Sequence, residues 1–110
     1  MFYTSRLQDG LCGIYREASA QVLEVSFNAE RLPFLGLWLC YGGWPSDGKE
    51  PQQYAVALEP TTSPCNNLAN GQRTNTAISL KAGETYGWEI LFTVREARTL
   101  RSGLLDGNRS

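Results

Sequence analysis

The sequence contains no histidine, and its three cysteines are isolated from one another. Without an imidazole, the chain holds none of the Ser-His, Cys-His or His-metal arrangements on which many enzymes depend. Cys12, Cys40 and Cys65 include no close pair with the spacing of a zinc site. Acid-base chemistry in this chain must therefore rest on carboxylates or be completed elsewhere. We interpret the cysteines as reduced, which is typical of a cytoplasmic protein.

The chain also lacks long apolar runs and an excess of charge of either sign. The longest uncharged stretch, residues 32–44, is too short and too rich in glycine to span a bilayer. The first residues contain no apolar segment typical of a signal peptide. Because the net charge is only −1, nothing favours a nucleic acid or an anionic membrane as a partner. We therefore expect a cytoplasmic location.

Hydrophobic residues make up 42% of the 110 residues, which is typical of one globular domain. Period-two alternation predicts two short strands at 11–17 and 21–27 that form a hairpin. Residues 34–41 are apolar on both faces, which predicts a central strand covered from both sides. A closing hairpin is predicted from strands at 75–80 and 85–94. The predicted turn of that hairpin spans 81–84. Alternate residues of the second strand share one face, and they are Tyr86, Trp88, Ile90, Phe92 and Val94.

Together with a strand at 54–59, these segments amount to about six strands and almost no helix. The sequence therefore predicts an all-β protein, an antiparallel β-sandwich or part of one, over residues 1–94. Residues 95–110 are predicted as a separate tail, either a short C-terminal amphipathic helix or a disordered segment. The arginines of this tail are more typical of a solvated face than of a phosphate site.

The strand at 54–59 ends in the most informative polar residue, Glu59. Pro60 follows, and we expect it to stop regular pairing because proline lacks a backbone donor. A carboxylate at a strand end is well placed to meet a ligand, although a solvated glutamate at the rim of a sheet is the plain alternative. Residues 61–74 have no periodic pattern and are predicted as a long functional or mobile loop, with a turn at Asn70-Gly71. Alternation divides the strand into one side with Tyr54, Val56 and Leu58 and another with Ala55, Ala57 and Glu59.

Three segments, taken in order, resemble the C-terminal part of the aldose 1-epimerase (galactose mutarotase-like) family. They are residues 32–45 (Leu-Pro-Phe-Leu-Gly-Leu-Trp-Leu-Cys-Tyr-Gly-Gly-Trp-Pro), 54–60 (Tyr-Ala-Val-Ala-Leu-Glu-Pro) and 80–88 (Leu-Lys-Ala-Gly-Glu-Thr-Tyr-Gly-Trp). The resemblance covers about residues 11–94 and implies a large antiparallel sandwich whose concave face binds a sugar. It also implies a glutamate as general base, which Glu59 matches, and histidines as acid and substrate clamp.

The activity implied by this resemblance is the interconversion of the anomers of an aldose or aldose phosphate. The base deprotonates the anomeric hydroxyl while the ring oxygen is protonated, so that the hemiacetal opens. Only proton transfers are needed, and therefore no cofactor is expected. The chain departs from the family in having no histidine, in carrying Cys65-Asn66 after Pro64 where the family has a Pro-Asp pair, and in being much shorter. We therefore expect a homo-oligomer, or a piece completed by an N-terminal half, because half a sandwich exposes strand edges and an apolar sheet face.

Four further residues are candidates for sugar contacts. Trp44, beside two glycines and a proline, is suited to stacking on a pyranose, whereas Trp38 lies in a strand pattern more typical of core, as does Trp88. Asn66 and Arg73 could hydrogen-bond sugar hydroxyls or a phosphate, although loop polar residues are exposed by default. Two alternatives to an epimerase stay open, namely a non-catalytic sugar-binding sandwich and an assembly module.

Overall fold

The computed structural model describes residues 1–49 and 51–97 and shows two antiparallel sheets of three strands each. The all-β class predicted from the sequence is thereby confirmed. Most of the predicted tail, residues 98–110, lies outside the described residues. Within the described part, no helix is long and apolar enough to cross a membrane. The elements are β1 (Phe2–Tyr3), β2 (Leu11–Arg16), a 3₁₀ turn (Glu17–Ser19), β3 (Gln21–Phe27), β4 (Phe34–Tyr41), β5 (Tyr54–Thr61), α1 (Leu68–Arg73) and β6 (Ile90–Glu96).

The sheet that we call sheet B has the strand order β2-β3-β6. Its β2-β3 hairpin is the one predicted from the alternation, and its central strand β3 contributes two core residues, Val22 and Val25, exposed by only 4% and 3%. Both valines lie on the strand that has a neighbouring strand on each side. Strand β6 continues to Glu96, two residues beyond the predicted boundary, and its Arg95 forms an ion pair of 3.5 Å with Glu24.

The predicted closing hairpin is wrong, because residues 75–89 form no strand and β6 pairs with β3 instead. The two segments predicted as its strands form hydrogen bonds with other parts of the chain instead. The Thr76 hydroxyl lies 2.6 Å from the Ser63 hydroxyl, and the Tyr86 hydroxyl donates to the Arg31 carbonyl at 2.7 Å. The turn at 81–84 is present, since the Glu84 amide donates to the carbonyl of residue 81 at 3.0 Å.

The other sheet, which we call sheet A, has the order β1-β4-β5. Strand β4 is central, as predicted, and its first residues Phe34 and Leu35 are only 7% and 8% exposed. The prediction that β4 is covered along its whole length is wrong, since Leu39 and Tyr41 are 42% and 68% exposed. Cys40, which lies between them on the other face of the strand, is only 4% exposed, so the uncovered part of β4 is the face that carries Leu39 and Tyr41.

Strand β5 differs from the prediction at its end, because it pairs with β4 through Pro60 to Thr61. The proline is tolerated because β5 is an edge strand, where a missing donor breaks no ladder on the outer side. The following stretch, predicted as a loop, contains α1. Its start is fixed by Asn67, whose side-chain oxygen accepts from the Asn70 amide at 2.8 Å. The Asn70-Gly71 pair therefore lies inside a helix and not in a turn.

Candidate active site

Glu59 lies on the face of sheet A that the alternation predicted, together with the two alanines of β5. It pairs with Gly36 of β4, and Gly36 pairs on its other side with Tyr3 of β1. Cross-strand partners share a face, so Tyr3 and Glu59 flank the glycine, with backbones about 10 Å apart. We call this the glutamate face. Its members are Tyr3, Phe34, Gly36, Trp38, Cys40, Ala55, Ala57, Glu59 and Thr61.

The absence of a side chain at Gly36 lets Tyr3 and Glu59 converge above it. A Cβ atom at this position would lie 3.2 Å from Cε1 of Tyr3 and 3.4 Å from Cβ of Glu59. These distances are at or just below ordinary van der Waals contact, and the sulfur of Met1 would also lie 3.4 Å from such a Cβ. The glycine therefore leaves room for the Tyr3 ring on one side and for the first carbon of the exposed Glu59 side chain on the other.

The hydroxyl of Tyr3 is held by the loop that follows β5. It donates to Oδ1 of Asn66 at 2.7 Å. Burial raises the pKa of the Tyr3 hydroxyl, and negative charge at Glu59 and then at Cys65 raises it further. Tyr3 is therefore electrically coupled to the predicted base, and its phenol is protonated at neutral pH.

The loop is itself held by a chain of hydroxyl and thiol contacts around α1. The Ser63 hydroxyl lies 2.8 Å from Sγ of Cys65, and the Thr76 hydroxyl lies 2.9 Å from that of Thr74. A cavity of about 320 Å³ lies between this loop and the helix, and Asn66 is among the residues that line it. The contacts fix the part of the chain that carries the hydrogen-bond partner of Tyr3.

The structure brings only some of the predicted site residues together. Trp38 pairs with Ala57 on the glutamate face. Glu59 is therefore its diagonal neighbour on the adjacent strand, and the backbones of diagonal neighbours are about 7 to 8 Å apart. Trp44 is 55% exposed, and its carbonyl accepts from the Gln53 amide at 2.7 Å. Because Gln53 precedes Glu59 by six residues of extended chain, Trp44 lies about 20 Å from the glutamate.

Arg73, at the end of α1, is exposed, and its guanidinium donates to Oδ1 of Asn70 at 2.5 Å. This hydrogen bond joins the guanidinium to another residue of the same helix and does not direct it to Glu59. Of the residues proposed for sugar contacts, Trp38 and Asn66 therefore belong to the same site as the glutamate. Trp44 lies at the opposite end of the β4-β5 hairpin.

Two candidate site residues were not predicted from the sequence. Tyr3 lies in a two-residue strand whose partner is more than thirty residues away, and no local pattern signals such a pairing. Trp88 follows a strand-like alternation but is 57% exposed beside a cavity of about 760 Å³. That larger cavity is at one end of sheet B and does not include Glu59. The only sequence signal for it was an aromatic residue next to a glycine, Gly87.

The glutamate face combines a carboxylate that accepts protons with a phenol that donates them, which is the chemistry of a proton-transfer site. Among residues 1–49 and 51–97, no three metal-ligating side chains come together in a way that could hold an ion. The fold and site thus define an all-β protein of two antiparallel sheets with a Glu-Tyr pair on one face. No protein-family model, no curated protein and no solved structure matches this chain.

Proposed function

We propose that this chain is a carbohydrate-active protein of mutarotase-like fold that interconverts the anomers of an aldose or aldose phosphate. The observation that carries the proposal is the placement of Glu59 and Tyr3 on either side of Gly36, on a face of sheet A that also holds Ala55, Ala57 and Trp38. The resemblance of residues 32–45, 54–60 and 80–88 to the aldose 1-epimerase family supports the same activity. The three free cysteines suit the cytoplasmic location that we propose with it.

In the proposed mechanism, Glu59 is the general base and Tyr3 replaces the histidine acid. The carboxylate takes the proton of the anomeric hydroxyl while the Tyr3 hydroxyl, turning from Asn66, gives its proton to the ring oxygen. The bond between the anomeric carbon and the ring oxygen breaks, and a free aldehyde forms. After rotation, the ring hydroxyl attacks the other face of the aldehyde and returns its proton to Tyr3. Glu59 then returns its own proton to the anomeric oxygen, so that both side chains recover their initial state.

The remaining groups of the glutamate face have binding roles in this proposal. Ala55 and Ala57 leave room above the sheet, and the Trp38 ring offers an apolar surface to the sugar. Asn66 orients the Tyr3 hydroxyl through its 2.7 Å hydrogen bond. Removal of this orientation is expected to slow the exchange less than removal of the proton donor itself.

Anomer exchange measured by proton NMR, with a panel of neutral aldoses and hexose 6-phosphates, tests the proposal. We expect exchange above the buffer rate, with a loss of about 10²- to 10⁴-fold in Glu59→Gln because the base is gone. Tyr3→Phe is expected to lose activity over the same range, whereas Glu17→Gln, an exposed carboxylate in the 3₁₀ turn, retains it. Undiminished exchange in Glu59→Gln would refute the mechanism. Sugar binding without exchange would favour the non-catalytic alternative.

The opposite face of sheet A favours a second candidate function, assembly with another copy of the chain. The residues of β4 and β5 on this face are aliphatic or aromatic, with the hydroxyls of Tyr41 and Tyr54 as their polar groups, and we call it the apolar face. Phe2, Tyr41 and Tyr54 are 65%, 68% and 76% exposed, so these three rings alone leave on the order of 400 Å² open. Its members are Phe2, Leu35, Leu37, Leu39, Tyr41, Tyr54, Val56, Leu58 and Pro60.

A second copy is the occupant that we propose, packed through the same face to close a six-stranded sandwich. Stable protein interfaces bury about 800 Å² on each partner. The exposed rings, together with Leu39 and Val56 at 42% and 38% exposure, supply roughly 500 Å² of this area. Such a self-complementary contact generates a two-fold dimer.

Sedimentation over a concentration series tests the assembly. We expect a dimer whose dissociation constant rises at least tenfold in Val56→Glu, because a charge would be buried at the contact. Ala55→Glu is the matched control, since the neighbouring residue of the same strand points to the glutamate face. A chain that stays monomeric at high concentration would refute the dimer, as would equal sensitivity to both substitutions.

A further inference from the structure

A cavity of about 760 Å³ lies at one end of sheet B. It opens where the end of β3, the turn that follows it and the segment before β6 meet. Its volume falls within the range of small-molecule sites in proteins. The side chains with hydrogen-bonding or aromatic groups around it belong to Ser26, Phe27, Asn28, Arg31, Trp88 and Glu89.

Arg31 is presented to this cavity by two contacts with Tyr86. Its guanidinium carbon lies 4.9 Å from the centroid of the Tyr86 ring, and its carbonyl accepts from the Tyr86 hydroxyl at 2.7 Å. The Arg31 amide also donates to the Asn28 carbonyl at 3.0 Å. Within residues 1–49 and 51–97, no carboxylate oxygen lies within ion-pair distance of this guanidinium. The guanidinium is thus held in place while its N–H groups are open to a ligand.

Trp88 supplies a flat apolar surface at the same cavity. Its side chain is 57% exposed, although it is one of the most hydrophobic residues of the chain. The Tyr86 ring supports it from one side, with ring centroids 6.3 Å apart at an angle of 44°. An exposed indole beside fixed hydrogen-bonding groups is suited to stacking against a ring.

The polar groups of the cavity include both kinds of hydrogen-bonding partner. The Arg31 guanidinium can only donate, whereas the Glu89 carboxylate can only accept. A simple anion would be attracted by Arg31 but repelled by Glu89, and a simple cation would meet the reverse situation. Hydroxyl groups both donate and accept, and therefore satisfy both side chains at once.

We infer that this cavity is a binding site for a neutral pyranose, stacked on Trp88 and hydrogen-bonded by Arg31, Asn28 and Glu89. The Asn28 Oδ1 atom accepts from the Glu30 amide at 2.8 Å, which fixes the side chain and leaves its amide N–H₂ to a sugar hydroxyl. The site is on sheet B, and Glu59 is on sheet A. The inference therefore stands on its own residues and does not depend on catalysis at the glutamate face.

The indole N–H signals of the three tryptophans provide the test, recorded in a ¹⁵N-labelled full chain. The Trp88 signal is assigned by its loss in Trp88→Phe, and neutral glucose, galactose and cellobiose are titrated into the millimolar range. We expect a saturable shift of the Trp88 signal that Glu59→Gln leaves unchanged. Arg31→Met keeps an apolar stem on Tyr86 but removes the donors, and is expected to weaken binding about tenfold or more.

Three results would overturn the inference. The first is the absence of a Trp88 shift with every neutral sugar at the highest concentration. The second is a stronger response to glucuronate or inorganic phosphate than to the neutral sugars, which would make the site an anion site. The third is a loss of the Trp88 response in Glu59→Gln, which would assign the binding to the glutamate face. Because Trp88 and Arg31 are both exposed, neither variant is expected to impair folding.

Discussion

The two faces of sheet A are made by adjacent residues of the same strands, yet they have different chemistry. On β5, Ala55, Ala57 and Glu59 alternate with Tyr54, Val56 and Leu58. One face holds a carboxylate and two alanines beside Tyr3, Phe34 and Trp38, whereas the other holds aliphatic and aromatic side chains whose polar groups are the hydroxyls of Tyr41 and Tyr54. Alternate residues of the strand point to opposite faces of the sheet. The face to which a residue points, and not its distance from Glu59, therefore decides whether its substitution affects the proposed catalysis or the proposed assembly.

The apolar face also differs between its own two ends. Leu35 is only 8% exposed at the start of β4, whereas Leu39 is 42% exposed four residues later on the same face. Leu35 lies where neighbouring segments cover the sheet, and the Leu7 amide donates to the Pro33 carbonyl nearby at 2.8 Å. The covered end belongs to the core, and the open end is the part that a second copy would cover.

Among substitutions that change the packing of sheet A, the largest effect is expected from one that fills the glutamate face. In Gly36→Val, the new Cβ would press on Tyr3 and Glu59 at 3.2 and 3.4 Å, and the two further methyl groups would push the pair apart. A displacement of about 1 Å in a catalytic group lowers the rate by about 100-fold. Anomer exchange measures this loss, and urea unfolding shows how much stability is lost with it.

Gly43→Val is the control for this substitution, because a Cβ at Gly43 would meet no atom within 4 Å. It introduces the same side chain on the same hairpin and is expected to retain the exchange rate. If Gly36→Val exchanged anomers as fast as the unaltered chain, the convergence of Tyr3 and Glu59 would have no part in the reaction.

A smaller effect, on stability, is expected from truncations at the two ends of the apolar face. Leu35→Ala is expected to lower the free energy of unfolding by about 2 to 4 kcal/mol, because it leaves a cavity in a covered part of the sheet. Leu39→Ala is expected to lower it by about 1 kcal/mol or less, since that side chain is half exposed. Urea unfolding at low protein concentration, where a dimer is dissociated, measures both values. Equal losses would show that the two ends are covered alike.

Local patterns were sufficient to predict much of this fold. The β2-β3 hairpin, the bounds of β4 and the facing of β5 all follow from alternation or from apolar runs, because each depends on residues within one strand or two consecutive strands. The hairpin predicted at 75–94 is wrong because β6 pairs instead with β3, more than sixty residues earlier, and no local pattern signals that pairing. The alternating aromatic at Tyr86 serves instead to hold Arg31.

The candidate site was predictable only in part for the same reason. Glu59 and its two alanines lie within a single strand, so their common face could be read from the sequence. Tyr3 joins them through a pairing between β1 and β4, and Asn66 reaches Tyr3 across 63 positions of the chain. Side-chain capping by Asn67 likewise overrides the turn preference of Asn70-Gly71. The features that alternation and turn signals did not predict therefore depend on long-range contacts and on a helix cap.

The smallest effect concerns the titration of Tyr3 itself. Burial first, and the charge of Glu59 second, raise the pKa of its hydroxyl. The native state therefore holds this proton more tightly than the unfolded state. Stability from this group is complete below the ordinary tyrosine pKa of about 10 and is lost as the pH rises through the higher native pKa. Urea unfolding from about pH 9 upward is expected to show this decline in stability. Tyr3→Phe is expected to remove the part of the decline that comes from the Tyr3 hydroxyl.

Glu59→Gln separates the effect of the Glu59 charge on the Tyr3 pKa from the effects of burial and of Cys65. Because the glutamine carries no charge, the pKa of Tyr3 is expected to fall towards the ordinary value, but to stay above it since burial is the larger cause. The ¹³Cζ chemical shift of Tyr3, followed through an alkaline titration, measures the change directly. A Tyr3 pKa that is the same with glutamate and glutamine at position 59 would mean that the two groups do not sense each other. The glutamate face would then hold a carboxylate and a phenol that cannot act as one proton-transfer pair.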